Sequence, residues 1–482
     1  MKQVISILLV LVMVLGLCAC AGEKKSAAAQ PKEFRVGFGR VNITPSYSVP
    51  LAGYGNSDMR MSEGFLDYLY ATCIAITDEN DSTVLLITLD GTGMYNNIVP
   101  LIREAVTKST GVPAERIMMN VTHVHSGPEL SNTKNAAIQR LIPEYTDNVA
   151  TAAKQAMDDR SPATMETSVG YTEDLSFVRH YTTTSGQLFS DNMTLNGSMT
   201  GHHHEPDNEI QLLIFRRAAE DKKDIVAMNW QAHIKFDSTN ETEEGKLGRG
   251  MLTSDGVGAF RTYVENNSDY LLAFYLGASG NINMNSKITT ENRTTKSKVF
   301  GELMGATILE ALKTTTPVEG GTQVKLTQRF YDAPIDHSED HLLAHAQKIS
   351  QVWAATNNFT ESVNAAPSSG IVSPYHAMSI VSRANSSEQS RRLELNAITV
   401  GPIGFVTAPY EMFDTNGVFV KDNSPFATTF VLSMCNGANS YIPAAYAYEG
   451  TGTYEVHNRL FPVGTAEALA DIMVEMLNEL NK

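Results

Sequence analysis

The segment VTHVHSGP, residues 121–128, sets His123 and His125 one position apart in a chain with only 12 histidines among its 482 residues. Neutral imidazole is a preferred zinc ligand, and a catalytic zinc takes about three protein ligands while keeping one position open. Two histidines do not complete such a set, and a pair of core histidines hydrogen-bonded to backbone would read the same way. Further along, MNWQAHIKF carries His233 and TAPYEMF carries Glu411. Each is a ligand-type residue where an apolar run of strand length gives out, which is where α/β proteins commonly build their sites. Each also has a plain alternative, a satisfied buried histidine or a carboxylate favouring a helix N-terminus. The chemistry at stake is hydrolysis by a metal-activated water.

Positioning such residues takes strands and helices in alternation, and the chain has both. EFRVGFGRVNITP reads as a strand closed by Pro45, and YATCIAITDENDSTVLLITL as a hairpin turning at residues 78–82. VPLIREAVTKSTGVP reads as a helix stopped by Gly111 and Pro113. In ERIMMNVTHVHS, read as a strand, His123 and His125 share one face because side chains two apart do. DIVAMNWQAH, YLLAFYLGASGNI, LELNAITVGPIGFVTAP and ATTFVLSMC are further strand candidates. Amphipathic periodicity predicts helices over RTTKSKVFGELMGATILEALKT, EDHLLAHAQKISQVWAAT and TAEALADIMVEMLNEL. The fold class is α/β, a mixed-sheet core with helices packed on it. A weak internal seam falls at Gly320 and Gly321, and the polar stretch 357–390 reads as a long surface excursion. GHHHEPDNE, residues 201–209, is tempting as a second metal site. Three consecutive side chains cannot all face one ion from a regular strand, so it reads as an exposed loop.

The N-terminus, MKQVISILLVLVMVLGLCAC, is a secretory leader whose apolar core is short for a membrane span. LCAC has the shape of a lipobox, which makes residues 1–19 a lipoprotein signal peptide and Cys20 the lipidated residue. Residues 20–33 are a small, polar tether. That leaves 34–482 as the folded domain, with the membrane reached through the lipid anchor. Cys73 and Cys435 then remain, too few for a disulfide framework, although one bridge is possible. The formal charge is −16, and losing Lys2 with the leader makes it −17. Such a surface excludes nucleic acid and electrostatic adhesion to anionic lipid.

In order along the chain, VGFGRVNITP, LAGYG, THVHSGP, NWQAHIKF, LTSD, APYEMF and NGANSYIPAAYAYEGTGTYEV resemble the motifs of the neutral (non-lysosomal) ceramidases. The resemblance covers residues 34 to about 460 and is to that family's N-terminal zinc-dependent catalytic domain. It implies one Zn²⁺ held by His123, His233, Glu411 and Tyr441. Tyr441 rests on the resemblance alone. His125 would be the nearby non-ligand histidine that shuttles a proton. Arg179, in LSFVRH, would line the substrate pocket, and Tyr454 would be the later active-site tyrosine.

The expected activity is ceramidase-like cleavage of an amide or ester bond in a small-molecule or lipid substrate. Two departures bear on the substrate. Asn283, in GNINMN, stands where the family carries a serine proposed as nucleophile, and Ser279 has no matching role. The chain also lacks the family's immunoglobulin-like module. A zinc hydrolase of a peptide, amino-sugar or cell-wall amide, and a non-catalytic substrate-binding lipoprotein, are the alternatives.

Overall fold

Gly37 and Gly39 explain why the first strand, β1 (Arg35–Asn42), lies so close to its helical neighbour. A Cβ on either would sit 2.1 Å from a carbonyl oxygen, of Ala156 or of Ala152, in the helix Ala136–Asp158. That helix therefore packs directly on strand backbone, and the alternate residue Val36 faces the other way into a second apolar layer. The computed structural model describes residues 33–54, 57, 60–190, 193, 195–236, 250–285, 296–450 and 452–482. The leader, Cys20 and most of the tether lie outside the described residues.

Seven more strands complete the main sheet: β2 (Tyr70–Thr77), β3 (Thr83–Leu89), β4 (Ile117–Val121), β5 (Ser161–Tyr171), β6 (Glu209–Arg217), β7 (Asp224–Trp230) and β8 (Tyr270–Leu276). Their order is β8-β7-β6-β5-β1-β2-β3-β4, with the short strand Thr316–Pro317 beside β5. Only β3–β4 and β7–β8 are parallel pairs. The hairpin expected from the sequence is β2–β3, paired antiparallel from Ala71↔Leu89 to Thr77↔Thr83. The two halves of the sheet meet through just two register pairs, Arg35↔Pro162 and Val36↔Ser161.

The sheet curls until its ends touch. Asn120 on β4 accepts from the backbone N of Leu276 on β8 at 2.8 Å, and Tyr275 donates to the Leu86 carbonyl at 2.9 Å. A side-chain amide thus closes the gap that a backbone ladder would otherwise fill.

A second sheet, β9 (Val324–Pro334), β10 (Ser390–Val400), β11 (Ile403–Ala408) and β12 (Thr428–Ser433), covers the face opposite the helices. Val36, Ile74, Leu86, Phe215 and Tyr275 from the first sheet pack against Ile398, Phe405 and Phe430 from the second. Leu469, Met473 and Leu477 of the C-terminal helix Thr465–Leu480 cover its outer side. The layers run helix, sheet, sheet, helix. Asparagines pin the sheets together: Asn120 donates to Ser433 O at 2.5 Å, and Asn229 both donates to Val431 O and accepts from Val431 N. Gly320 and Gly321, the expected seam, lie in the passage from the first sheet to the second.

Two expectations change. Stretch 357–390 is helical rather than a surface excursion, with helices Phe359–Asn364 and Pro374–Ala384. Ser373 caps the latter through Oγ, with Pro374 in its first turn, and Ala377 and Ile380 close a small core with Ala346 and Ile349. Its polar residues are caps and exposed faces, which masked the 3.6-residue period. Cys73 and Cys435 are buried free thiols, so the possible bridge is absent.

Candidate metal centre

Strand β4 stops at Val121, so His123 and His125 do not sit on a strand face as the sequence reading expected. His123 has φ +59°, a left-handed backbone that non-glycine residues seldom adopt. The two rings meet nonetheless, at 89° to one another, with 3.4 Å between their Nε2 atoms. Gly53 makes room for this, because a Cβ there would lie 2.6 Å from the His125 ring. Tyr54 then meets that ring edge-on at 5.2 Å, and Arg60 donates to the His125 carbonyl at 2.8 Å. The LAGYG element is thus a seat for His125.

His233 lies three residues past β7. Its backbone N donates to Ile282 O at 2.9 Å, and it forms an isolated bridge with Asn283. The curl of the first sheet carries its ring to 4.5 Å from that of His123. Glu411 and Tyr441 come from the second sheet, following β11 and β12. They are register partners in a parallel two-residue pairing, Glu411↔Tyr441. Glu411 Oε2 is 3.1 Å from His233 Nε2 and 3.4 Å from His123 Nε2, and Tyr441 Oη is 3.5 Å from His233 Nε2. All four residues expected as ligands converge.

The tautomers show what the arrangement lacks. His123 Nδ1–H donates to Thr92 O at 2.6 Å, and His233 Nδ1–H to Ser279 O at 2.8 Å. Both Nε2 lone pairs therefore point inward, at a carboxylate. Burial, with Arg179 and His123 nearby, pushes His233 down to about 3, so its ring is neutral at ordinary pH. With both Nε2 atoms unprotonated, the two rings and the Glu411 carboxylate are three acceptors in one buried space, a contact that a bound cation makes favourable. Backbone-anchored Nδ1–H groups with free Nε2 atoms are also how metal-binding histidines are oriented. Two imidazoles, a carboxylate and a phenol form a nitrogen and oxygen donor set of the kind Zn²⁺ takes. The residues fit the ion.

His125 stands closer to this centre than a bystander would. The ligand nitrogens of His123, His125 and His233 all lie within 4.8 Å of one another. Burial first, then the neighbouring His123, drives His125 well below its ordinary pKa, and its Nδ1 is buried without a hydrogen-bond partner among the described residues.

Arg179 and Tyr454 also arrive at the site, but Arg179 is engaged rather than open. Its Nε bonds Glu455 Oε1 at 2.7 Å and its Nη2 bonds Gly280 O at 2.8 Å. Its guanidinium lies 5.5 Å from the Tyr441 ring centre and 5.9 Å from that of Tyr454. Glu455 is the residue the sequence reading passed over, although it sits inside the quoted TYEV. His180 bonds its other oxygen at 2.8 Å and accepts from Tyr446 at 2.8 Å. Asn281 and Asp414 extend this buried network.

The three histidines of GHHHE point to different partners: His202 to Val178 O, His203 stacked on Tyr446, and His204 to Asp414. Asn283 and Ser279 are both buried, and what Ser279 gives the site is its carbonyl, accepting from His233.

The likeness of this chain to known proteins is one of fold. No protein-family model matches it, and no curated protein does. Solved structures do, and two of them are ceramidases. The crystal structure of neutral ceramidase from Pseudomonas aeruginosa is 17% identical over 93% of this chain and 74% of its own, with a TM-score of 0.69. A structure described as ceramidase complexed with C2 is 15% identical over 93% of this chain and 75% of its own, with a TM-score of 0.68. The chain has the neutral ceramidase-like fold.

Proposed function

We propose that this chain is an extracytoplasmic, lipid-anchored zinc hydrolase that cleaves the amide bond of an N-acyl lipid, in the manner of a ceramidase. The observation that carries the reading is the inward-facing pair of Nε2 lone pairs around a buried carboxylate. The fold likeness to two ceramidases supports the substrate class.

His123, His233, Glu411 and Tyr441 would hold the ion. When bound, zinc polarises a carbonyl and lowers the pKa of a coordinated water toward neutrality. The chain's own groups do the rest. His125, kept neutral by burial, is placed to take and return a proton at Nε2. Tyr454 keeps its phenolic proton because burial raises its pKa, so it donates to the developing oxyanion or the leaving nitrogen. Asn283 has no ionisable proton and cannot act as a serine-type nucleophile.

A hydrolysis screen of N-acyl lipids, peptides and esters, with and without chelator, tests the activity. Turnover of an N-acyl lipid that chelator abolishes is the expected result. Chelator-independent turnover, or turnover of peptides alone, would overturn it. For the anchor, which rests on LCAC and the polar tether, Cys20→Ser should release the protein or leave it unprocessed. A mature N-terminus well downstream with no lipid attached would end that part.

A further inference from the structure

Glu455 is wholly buried and splits its carboxylate between consecutive residues, Oε1 to Arg179 and Oε2 to His180. A buried ion pair is weak grounds for stability, since apolar side chains of similar volume often do as well. What apolar side chains could not do here is aim a guanidinium. Arg179 leaves Glu455 to lie within cation–π range of two rings, Tyr441 and Tyr454, whose centres are 6.0 Å apart. Its Nη2 also holds the Gly280 carbonyl, next to the Ser279 carbonyl that orients His233. Glu455 directly follows Tyr454 in the turn Tyr454–His457. One carboxylate therefore touches three pieces of the site: the arginine, the later tyrosine through the chain, and, through Arg179, the loop behind His233.

We propose that Glu455 is a positioning residue which, through Arg179, fixes the rings of Tyr441 and Tyr454 against the metal centre. The proposal rests on the metal-centre reading above. It also assigns Arg179 a structural duty toward the tyrosines in place of substrate contact.

The test uses full-length protein stripped of metal and reloaded with Co²⁺, whose visible absorption reports the ligand set. Glu455→Gln should shift the Co²⁺ spectrum toward that of Tyr441→Phe. It should also lower kcat by about 10²-fold, the loss a misplacement of about 1 Å can cause, with KM changed far less. Glu339→Gln serves as the control, because the buried ion network it disrupts reaches the turn Tyr454–His457 only at Val456 and His457 and pairs with neither tyrosine. It should lower Tm yet keep the wild-type spectrum and kcat. If Glu455→Gln does not fold, Glu455→Asp carries the test: it keeps the charge but is one methylene too short to reach both Arg179 and His180. Either Glu455 variant, folded and showing the wild-type spectrum and kcat, overturns the proposal. So does a variant that loses Tm as Glu339→Gln does and nothing else. Wild-type protein that takes up no Co²⁺ removes the metal centre itself and this inference with it. Uptake with an unmoved spectrum in the variants removes only the role of Glu455.

Discussion

Glutamate meets histidine in three buried places among the described residues, and two of them, at Glu339 and Glu411, keep different company. Glu339 Oε1 faces His376 Nε2 at 2.9 Å, while Oε2 faces Arg383 at 2.5 Å and Arg459 at 3.2 Å. Glu411 faces two imidazoles whose protons are already given to backbone carbonyls. The first cluster carries its own positive charge and is complete. The second turns two Nε2 atoms on one carboxylate and is the one suited to an added cation. Residue type alone does not separate a structural ion network from a metal centre; counting donors against acceptors does.

The strongest way to break the comparison is to remove a ligand. His233→Ala or Glu411→Ala should abolish stoichiometric zinc and reduce hydrolysis on the order of 10³-fold or more, since Lewis-acid help is worth several kcal/mol. Elemental analysis beside the assay decides it, and full metal content in both variants would sink the assignment. His125→Ala should cost about 10²-fold to 10⁴-fold, the range for general acid–base help. Its zinc content should stay unchanged, and loss of zinc together with activity would make His125 a ligand instead.

Glu339→Gln should cost about 3 kcal/mol of stability, because it leaves Arg383 buried with its charge poorly compensated, while Arg459 keeps Asp336. Chelator should lower Tm in wild type and in this variant alike, because Glu339 forms ion pairs with His376, Arg383 and Arg459 and with none of the four proposed ligands. The same site supplies a pH signature. Hydrogen bonds and charge from His376, with Arg459 and Arg383, overcome burial and depress Glu339 to about 2, against about 4.3 in an unfolded chain. A depressed folded pKa gives stability that is present above about 4.3 and lost as pH falls toward 2. Denaturant unfolding at pH 5 and pH 3 should show that loss in wild type, and a smaller one in Glu339→Gln. The smallest effects belong to Ser279→Ala and Asn283→Ala, each within a few-fold of wild-type activity. An acyl-enzyme trapped on Ser279 would contradict the water-based account.

Much of this was legible beforehand. Ligand-type residues at the ends of apolar runs, joined to a family resemblance, picked out His123, His233, Glu411 and Tyr441, and the structure brings them within hydrogen-bonding range. The path by which they meet was not legible. His123 and His233 follow strands near opposite ends of the sheet order, and only the curl closed by Asn120 joins them. No local pattern encodes that. Nor does periodicity foretell a left-handed residue: His123, Met434, Asn436 and Ser440 are four of the eight non-glycine residues at positive φ among those described. All four lie in the loops that deliver His123 and Tyr441. Such backbone costs about 1–3 kcal/mol per residue and persists where the surroundings over-determine it. Arg179 lies beside Tyr441 and Tyr454, and its buried partner Glu455 is 276 residues away in sequence.

Two of the four proposed ligands follow strands of the first sheet and two follow strands of the second. The ion would thus be a rivet through both layers, and its timing follows from chain order. Nothing before residue 411 supplies the carboxylate, and nothing before 441 supplies the phenol. A nascent or truncated chain that ends short of β11 has two imidazoles and no pocket. Tight capture therefore comes last, after the long-range contacts that make such folds slow to form. The metal would then be drawn from whichever compartment the final strands fold in.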